Sequence, residues 1–223
     1  MNLAIFDLDN TLLAGDSDYL WGRFLCDMGI VDPQQYETAN QRFYEDYKQG
    51  LLDIDAFLRF SLAPLARHTL EQLEDWHNQF MEAMIEPIIL PRALDLIEEH
   101  RARGDRPLII TATNAFVTEP IARRLGVEDI LATRPERVGD RYTGSYVGTP
   151  TFQHGKVKAL EEWLGAQPEP LERSWFYSDS RNDIPLLERV DHPVAVDADA
   201  VLSAEAARRG WPLISLREPV PAA

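Results

Sequence analysis

Four short apolar runs punctuate this chain, each too short for a helix and each bounded by polar residues: Leu3 to Leu8, Pro107 to Thr111, Ser174 to Asp179 and His192 to Asp197. Runs of that length read as buried strands. Helical patterns lie between them. Pro91 opens one, with Gly104 past its end. Asn114 can cap Ala115 to Leu125 ahead of Gly126, and His154-Gly155-Lys156 leads into a helix closed by Gly165. Asp199 to Arg209 is the last, and Gly139-Asp140 between Val138 and Tyr146 reads as a hairpin tip. Strands alternating with helices predict an α/β chain with a doubly wound, Rossmann-like parallel sheet.

The stretch from Asp16 to Ile85 breaks the alternation. A crossover between neighbouring parallel strands needs one helix, and here several follow one another. Asp32-Pro33 is a cap and first-turn proline, Asp53 can cap Ile54 to Leu65, and Thr69 to Gln72 has capping-box spacing. Eleven aromatic residues fall here, among them Trp21, Phe24, Phe43, Phe57, Trp76 and Phe80. That is apolar material for a small core of its own. The expected organisation is a core of residues 1–15 and 86–223 with an inserted α-helical cap of residues 16–85. The tail after Leu216 is expected to be loose.

Charge narrows the partners. Lys and Arg number 22 against 37 Asp and Glu, a net charge of −15, with no basic stripe. Nucleic acid and anionic membrane surfaces are therefore excluded as expected partners. Cys26 stands alone and no apolar run approaches the roughly 20 residues of a membrane span. The first residues carry no basic segment, so a cytoplasmic protein is expected. Nothing in the sequence chooses between monomer and dimer.

In an open parallel sheet, ligands bind at the carboxyl ends of the strands. The first strand delivers Asp7 and Asp9, the second Thr111, and the third Asp179 followed by Asn182 and Asp183; Lys156 begins the helix before the third. Taken singly, each has a blander reading as a helix cap, a turn residue or a solvated lysine. Together they would bring four carboxylates, a hydroxyl, an amide and one ammonium to one crevice. One lysine does not balance four acids, so a cation is the natural completion. All-oxygen ligation suits Mg²⁺. The five histidines are scattered, with no zinc spacing.

At this point the residues resemble a known family. Phe6-Asp7-Leu8-Asp9-Asn10-Thr11-Leu12 resembles the first motif of the haloacid dehalogenase superfamily, Ile109-Ile110-Thr111 the second, Lys156 the third, and Ser178 to Asp183 the fourth. The helical stretch after the first motif is similar to the cap of the phosphoserine-phosphatase-like branch. Asn10 departs from the commoner Gly or Ser. The resemblance implies a Mg²⁺-dependent phosphomonoesterase acting on a small-molecule phosphate ester. Asp7 would be the nucleophile, forming an aspartyl-phosphate, and Asp9 the acid and base. Asp7, the Asp9 carbonyl and Asp179 would hold the metal, with Asp183 acting through metal-bound water and by orienting Lys156. Thr111 and Asn182 would bond the phosphoryl oxygens.

The same resemblance bears on the substrate. Asp16 falls where phosphoserine phosphatases carry a glutamate that meets the substrate amine, and Asp18 is close enough to share that role. Arg59 resembles the arginine that holds the substrate carboxylate. The blander readings are a cap for Asp16 and a solvated helix face for Arg59. Phosphoserine and histidinol phosphate both fit an amine-bearing ester; if the acid alone is used, no carboxylate is required. Another small-metabolite phosphatase, a receiver-type phospho-accepting module and a non-catalytic binding protein are the competing classes. A receiver would lack the cap and the proton donor Asp9.

Overall fold

The computed structural model describes residues 1–217. Strand β1 (Asn2–Phe6) is followed by helices α1 (Ser17–Asp27), α2 (Pro33–Gln49), α3 (Ile54–Leu62) and α4 (Leu70–Phe80) before α5 (Pro91–Ala102) leads to β2 (Arg106–Ile110). Then come α6 (Ala115–Arg124), β3 (Asp129–Leu131), a two-stranded ribbon of β4 (Arg134–Val138) and β5 (Arg141–Val147), and α7 (His154–Gly165). The chain ends with β6 (Arg173–Ser178), the single turn α8 (Ile184–Leu187), β7 (His192–Val196), α9 (Ala200–Arg209) and β8 (Leu213–Ile214). Most of the tail expected to be loose, from residue 218 on, lies outside the described residues.

Six strands form one parallel sheet in the order β3-β2-β1-β6-β7-β8. The four apolar runs are its inner strands; β3 and β8 are short edge strands that no run announced. The order reverses at β1, so the crevice past the carboxyl ends of β1 and β6 is the topological switch point. β1 alternates across the sheet. Leu3 and Ile5 pack with Leu108, Ile110, Phe176 and Leu202 on one face, and Ala4 and Phe6 with Ile97, Ile109 and Val117 on the other. Each of the larger buried side chains contributes about 1.5–3 kcal/mol.

The anticipated caps form. Asp32 accepts from Gln35 N–H at 3.1 Å and Asp53 from Ala56 N–H at 3.0 Å, while Thr69 and Gln72 make the reciprocal capping box. Asn114 caps α6 and Asp199 caps α9. Leu58, Leu62, Leu65 and Leu73 form a small core between α3 and α4, with Tyr142 and Tyr146 of the β4–β5 ribbon packed on it. Trp21, Phe24 and Phe80 do not join it. They enter the larger layer over the sheet, because α1 follows β1 directly and lands against α6.

α1 and α2 approach closely at Gly22, where a Cβ would stand 2.6 Å from the Asn40 amide nitrogen. The chain leaves and re-enters the sheet region through two segments tied to each other. Ala14 N–H donates to Ile88 O at 2.8 Å, Leu90 N–H donates to Leu12 O at 3.2 Å, and Leu13 and Ile89 form an antiparallel bridge. No helix among the described residues is long and apolar enough to cross a membrane.

Candidate active site

β1 stops at Phe6, so Asp7 and Asp9 lie in the turn beyond it. The Asp7 N–H still donates to Tyr177 O at 2.9 Å, which anchors the start of that turn to β6. Asn10 sits at φ +57°, a left-handed conformation that a short polar side chain tolerates better than most.

Lys156, in the first turn of α7, is fully buried. Its Nζ donates to Asp7 Oδ1 at 2.8 Å and to Asp183 Oδ2 at 2.8 Å. Ser178 Oγ donates to Asp183 Oδ2 at 2.7 Å. The Thr11 hydroxyl lies 3.2 Å from Asp179 Oδ1 and 3.4 Å from Asp7 Oδ2, and accepts the Asp179 N–H at 3.1 Å. Asp7 and Asp179, far apart in the chain, therefore meet at one hydroxyl. Burial raises the Asp7 pKa against the opposing pull of Lys156. Burial, then the charges of Asp7 and Asp183, lift Asp179 well above the carboxylate range. Asp183 is pushed to about 6 by burial, with Lys156 opposing. Burial works against the Lys156 ammonium, but the Asp183 and Asp7 charges outweigh it and hold the proton more tightly than usual.

One ammonium thus faces two buried acids, Asp7 and Asp183, and the half-buried Asp179, an arrangement that a further cation would relieve. Among the described residues, no group of three or more His, Cys, Asp or Glu side chains is gathered to hold a metal by side chains alone. The oxygens at hand are the Asp7 and Asp179 carboxylates and the Asp9 carbonyl, which accepts no hydrogen bond within the described residues. This anionic, all-oxygen donor set fits Mg²⁺, which takes few protein ligands and keeps its waters.

The Asp9 carboxylate turns the other way. Oδ1 accepts Ser17 N–H of α1 at 2.6 Å, and Oδ2 accepts from Thr113 Oγ1 at 2.8 Å and Thr111 Oγ1 at 3.4 Å. Burial raises its pKa in spite of those donors. Asp16 is the N-cap of α1, accepting Tyr19 N–H at 2.8 Å, so the capping reading describes one of its oxygens. Burial and then the Asp9 charge raise its pKa well above the ordinary value. Asp18 is buried, 3.4 Å from the Asn114 amide, and is pushed to about 7 by burial and the Asp9 charge.

Asp7, Asp9, Asp16 and Asp18 open onto one cavity. Asp7, Asp9, Thr111, Ala112 and Thr113 line it from the strand-end loops, and Asp16, Asp18 and Tyr19 from the start of α1. Asn40, Phe43, Tyr44 and Tyr47 of α2 line it too, with Leu52, Ile54 and Phe57 at the entry to α3. Among the described residues lining it there is no Lys, Arg or His.

Two expected substrate contacts are not brought to this cavity. Arg59 is exposed on α3, outside the lining, as the solvated-face reading has it. Asn182 is buried beside the site, but its Nδ2 donates to Tyr47 O at 2.9 Å and its Oδ1 accepts from Gln153 Nε2 at 3.1 Å. Its amide is occupied by the chain itself. The sequence does not mark Thr11, which bridges Asp7 and Asp179, or Thr113 and Ser178, which donate to Asp9 and Asp183, as site residues. Nor does it mark Tyr47, whose phenol is held protonated by burial and then by the charges of Asp7, Asp183 and Asp179.

The haloacid dehalogenase-like hydrolase family matches residues 4–188. The chain is 46% identical over 220 residues to a protein of Neisseria meningitidis serogroup C named histidinol-phosphatase, covering 97% of this chain and 99% of that one. A Bordetella pertussis Tohama I protein of unknown function superposes with a TM-score of 0.91 at 43% identity, covering 97% and 99% of the two chains. A phosphoserine phosphatase solved as a phospho-aspartyl intermediate analogue superposes with a TM-score of 0.70 at 19% identity, covering 97% and 94%, a likeness of fold.

Proposed function

Because the chain belongs to the haloacid dehalogenase-like hydrolases and is a phosphatase of that family, we propose that its substrate is histidinol phosphate, hydrolysed through an aspartyl-phosphate on Asp7. The observation that carries the choice of substrate is the cavity. Asp16 and Asp18 stand beside the reacting acids, aromatic side chains close the far end, and no cation lines it among the described residues. An ammonium is attracted there. The carboxylate of phosphoserine would meet acids with no partner, a like-charge contact that costs several kcal/mol. A flat, uncharged imidazole suits the Phe43, Tyr44 and Phe57 end. The name carried by the Neisseria relative agrees.

Asp7 attacks phosphorus while the ester P–O bond breaks, and the phosphoryl group passes to its carboxylate. The proton held by Asp9 goes to the departing alcohol oxygen. Asp9, now ionised, takes a proton from the water that attacks the aspartyl-phosphate; inorganic phosphate leaves and Asp7 is restored. The Thr113 and Thr111 hydroxyls and the Ser17 amide fix the direction of the Asp9 carboxyl. Lys156 holds Asp7 in place and offsets charge on the transferring group. Thr111 Oγ1, whose contact with Asp9 Oδ2 is long at 3.4 Å, turns its one proton to a phosphoryl oxygen when substrate fills the cavity. Asp7, Asp179 and the Asp9 carbonyl would hold Mg²⁺, which when bound supplies Lewis-acid charge stabilisation; Asp183 orients Lys156. The helices of residues 16–85 act as the cap over this chemistry.

The test is phosphate release from L-histidinol phosphate, L-phosphoserine and p-nitrophenyl phosphate side by side, with Mg²⁺ and with EDTA. Histidinol phosphate is expected to exceed phosphoserine in kcat/KM by about 100-fold, and EDTA to stop all three. A preference for phosphoserine refutes the substrate assignment. Turnover by Asp7→Asn refutes the nucleophile.

A further inference from the structure

Asn40 is out of place by ordinary rules. α2 is a polar helix of 17 residues, and Asn40 is its one buried residue, at 4% exposure. A helix normally buries an apolar stripe, and a buried amide is costly unless its groups are bonded. Half of this amide is bonded: Nδ2 donates to the Tyr19 carbonyl at 3.1 Å. That carbonyl can only accept, so the atom facing it is the NH₂, which fixes the orientation. Oδ1 accepts from no group among the described residues, and Asn40 lines the cavity. The Gly22 backbone packs against the same amide nitrogen, where a Gly22 Cβ would come within 2.6 Å of it.

Around it stand Phe43, Tyr44 and Phe57, with the Phe43 and Phe57 rings 5.6 Å apart at 67° and Tyr19 and Tyr44 stacked at a tilt. The chain thus offers the Asn40 amide oxygen as an uncharged acceptor among the aromatic residues of the cavity. From this we infer that Asn40 reads the substrate's side group, its Oδ1 accepting the ring N–H of an imidazole. The inference rests on the proposed substrate and deepens it. Asp16 and Asp18 would recognise any amino-alcohol phosphate; Asn40 would distinguish a ring bearing an N–H from an apolar ring of similar shape. A site built around an acceptor discriminates strongly, because the wrong ligand leaves the acceptor buried and unpaired.

The probe pair is L-histidinol phosphate and L-phenylalaninol phosphate, which share the amine, the phosphate and a flat ring. Wild type is expected to prefer the first in kcat/KM by about tenfold or more. Asn40→Leu should erase that preference, lowering turnover of histidinol phosphate while leaving that of phenylalaninol phosphate unchanged or higher. An equal fall on both substrates makes Asn40 a structural residue and overturns the inference. Should the variant not fold, wild type alone decides: L-histidinol must inhibit about tenfold more tightly than L-phenylalaninol, and equal inhibition overturns the inference. Good turnover of histidinol phosphate without ring discrimination sinks Asn40 and spares the substrate class. Poor turnover of it beside rapid turnover of phosphoserine sinks both.

Discussion

Replacing Asp18 with Asn should make the protein more stable and a worse enzyme. Unfolded, the carboxyl ionises at its ordinary value of 3.8; folded, burial and the Asp9 charge push it to about 7. At pH values below both, each state keeps the proton and the residue costs nothing. Between them only the unfolded chain gives it up, so wild-type stability falls as pH rises, and above the folded value the loss is complete. A shift of about three pH units at about 1.4 kcal/mol each amounts to about 4 kcal/mol. Asn keeps the shape without the charge. Acids out of reach of residue 18 titrate alike in both proteins and cancel, while Asp9 and Asp16, which share its field, are relieved by the substitution and add to its advantage. The assay is urea unfolding followed by the fluorescence of the tryptophans, among them the buried Trp21, at pH steps from about 4 to about 8. The advantage of Asp18→Asn should grow from near zero to a plateau of about 4 kcal/mol. In parallel, kcat/KM on histidinol phosphate should fall about 10- to 100-fold while p-nitrophenyl phosphate changes less than about threefold. A stability difference independent of pH would refute the claim that the fold holds this acid at a cost.

Lys156→Met should cut kcat at least about 100-fold and, above neutral pH, cost about 3–5 kcal/mol of stability by stranding two buried acids. In urea unfolding that stability loss should shrink as pH falls toward about 6, because Asp183, no longer held down by Lys156, takes up its proton above that value. Arg59→Ala should leave kcat/KM on histidinol phosphate within about twofold of wild type, because Arg59 lies outside the cavity; a large rise in KM would place it at the substrate. Gly155→Ala should lower stability by at least about 3 kcal/mol in a thermal melt, since its Cβ would fall 1.8 Å from the Pro150 carbonyl oxygen.

The sheet's inner strands were legible because each is a short apolar run closed by a polar residue, and the helices because Asp32, Asp53, Thr69, Asn114 and Asp199 are residues that satisfy free amides. β3 and β8 were not. At three and two residues they are too short to show a period, and only pairing with β2 and β7 makes them strands. Asp7, Lys156, Asp179 and Asp183 could be brought together from sequence because each follows or adjoins a strand end. Thr11 and Thr113 could not, since a hydroxyl becomes a partner to an acid only once that acid is placed. Asn40 was invisible for the opposite reason. Asn40 sits among the polar residues of its helix, and its burial comes from the approach of α1 at Gly22, a tertiary event with no local period.

The two segments at residues 12–14 and 88–90 are laced by hydrogen bonds into a single narrow ribbon. The way out to the helices and the way back therefore share their hydrogen bonds, so that loosening either strap loosens both.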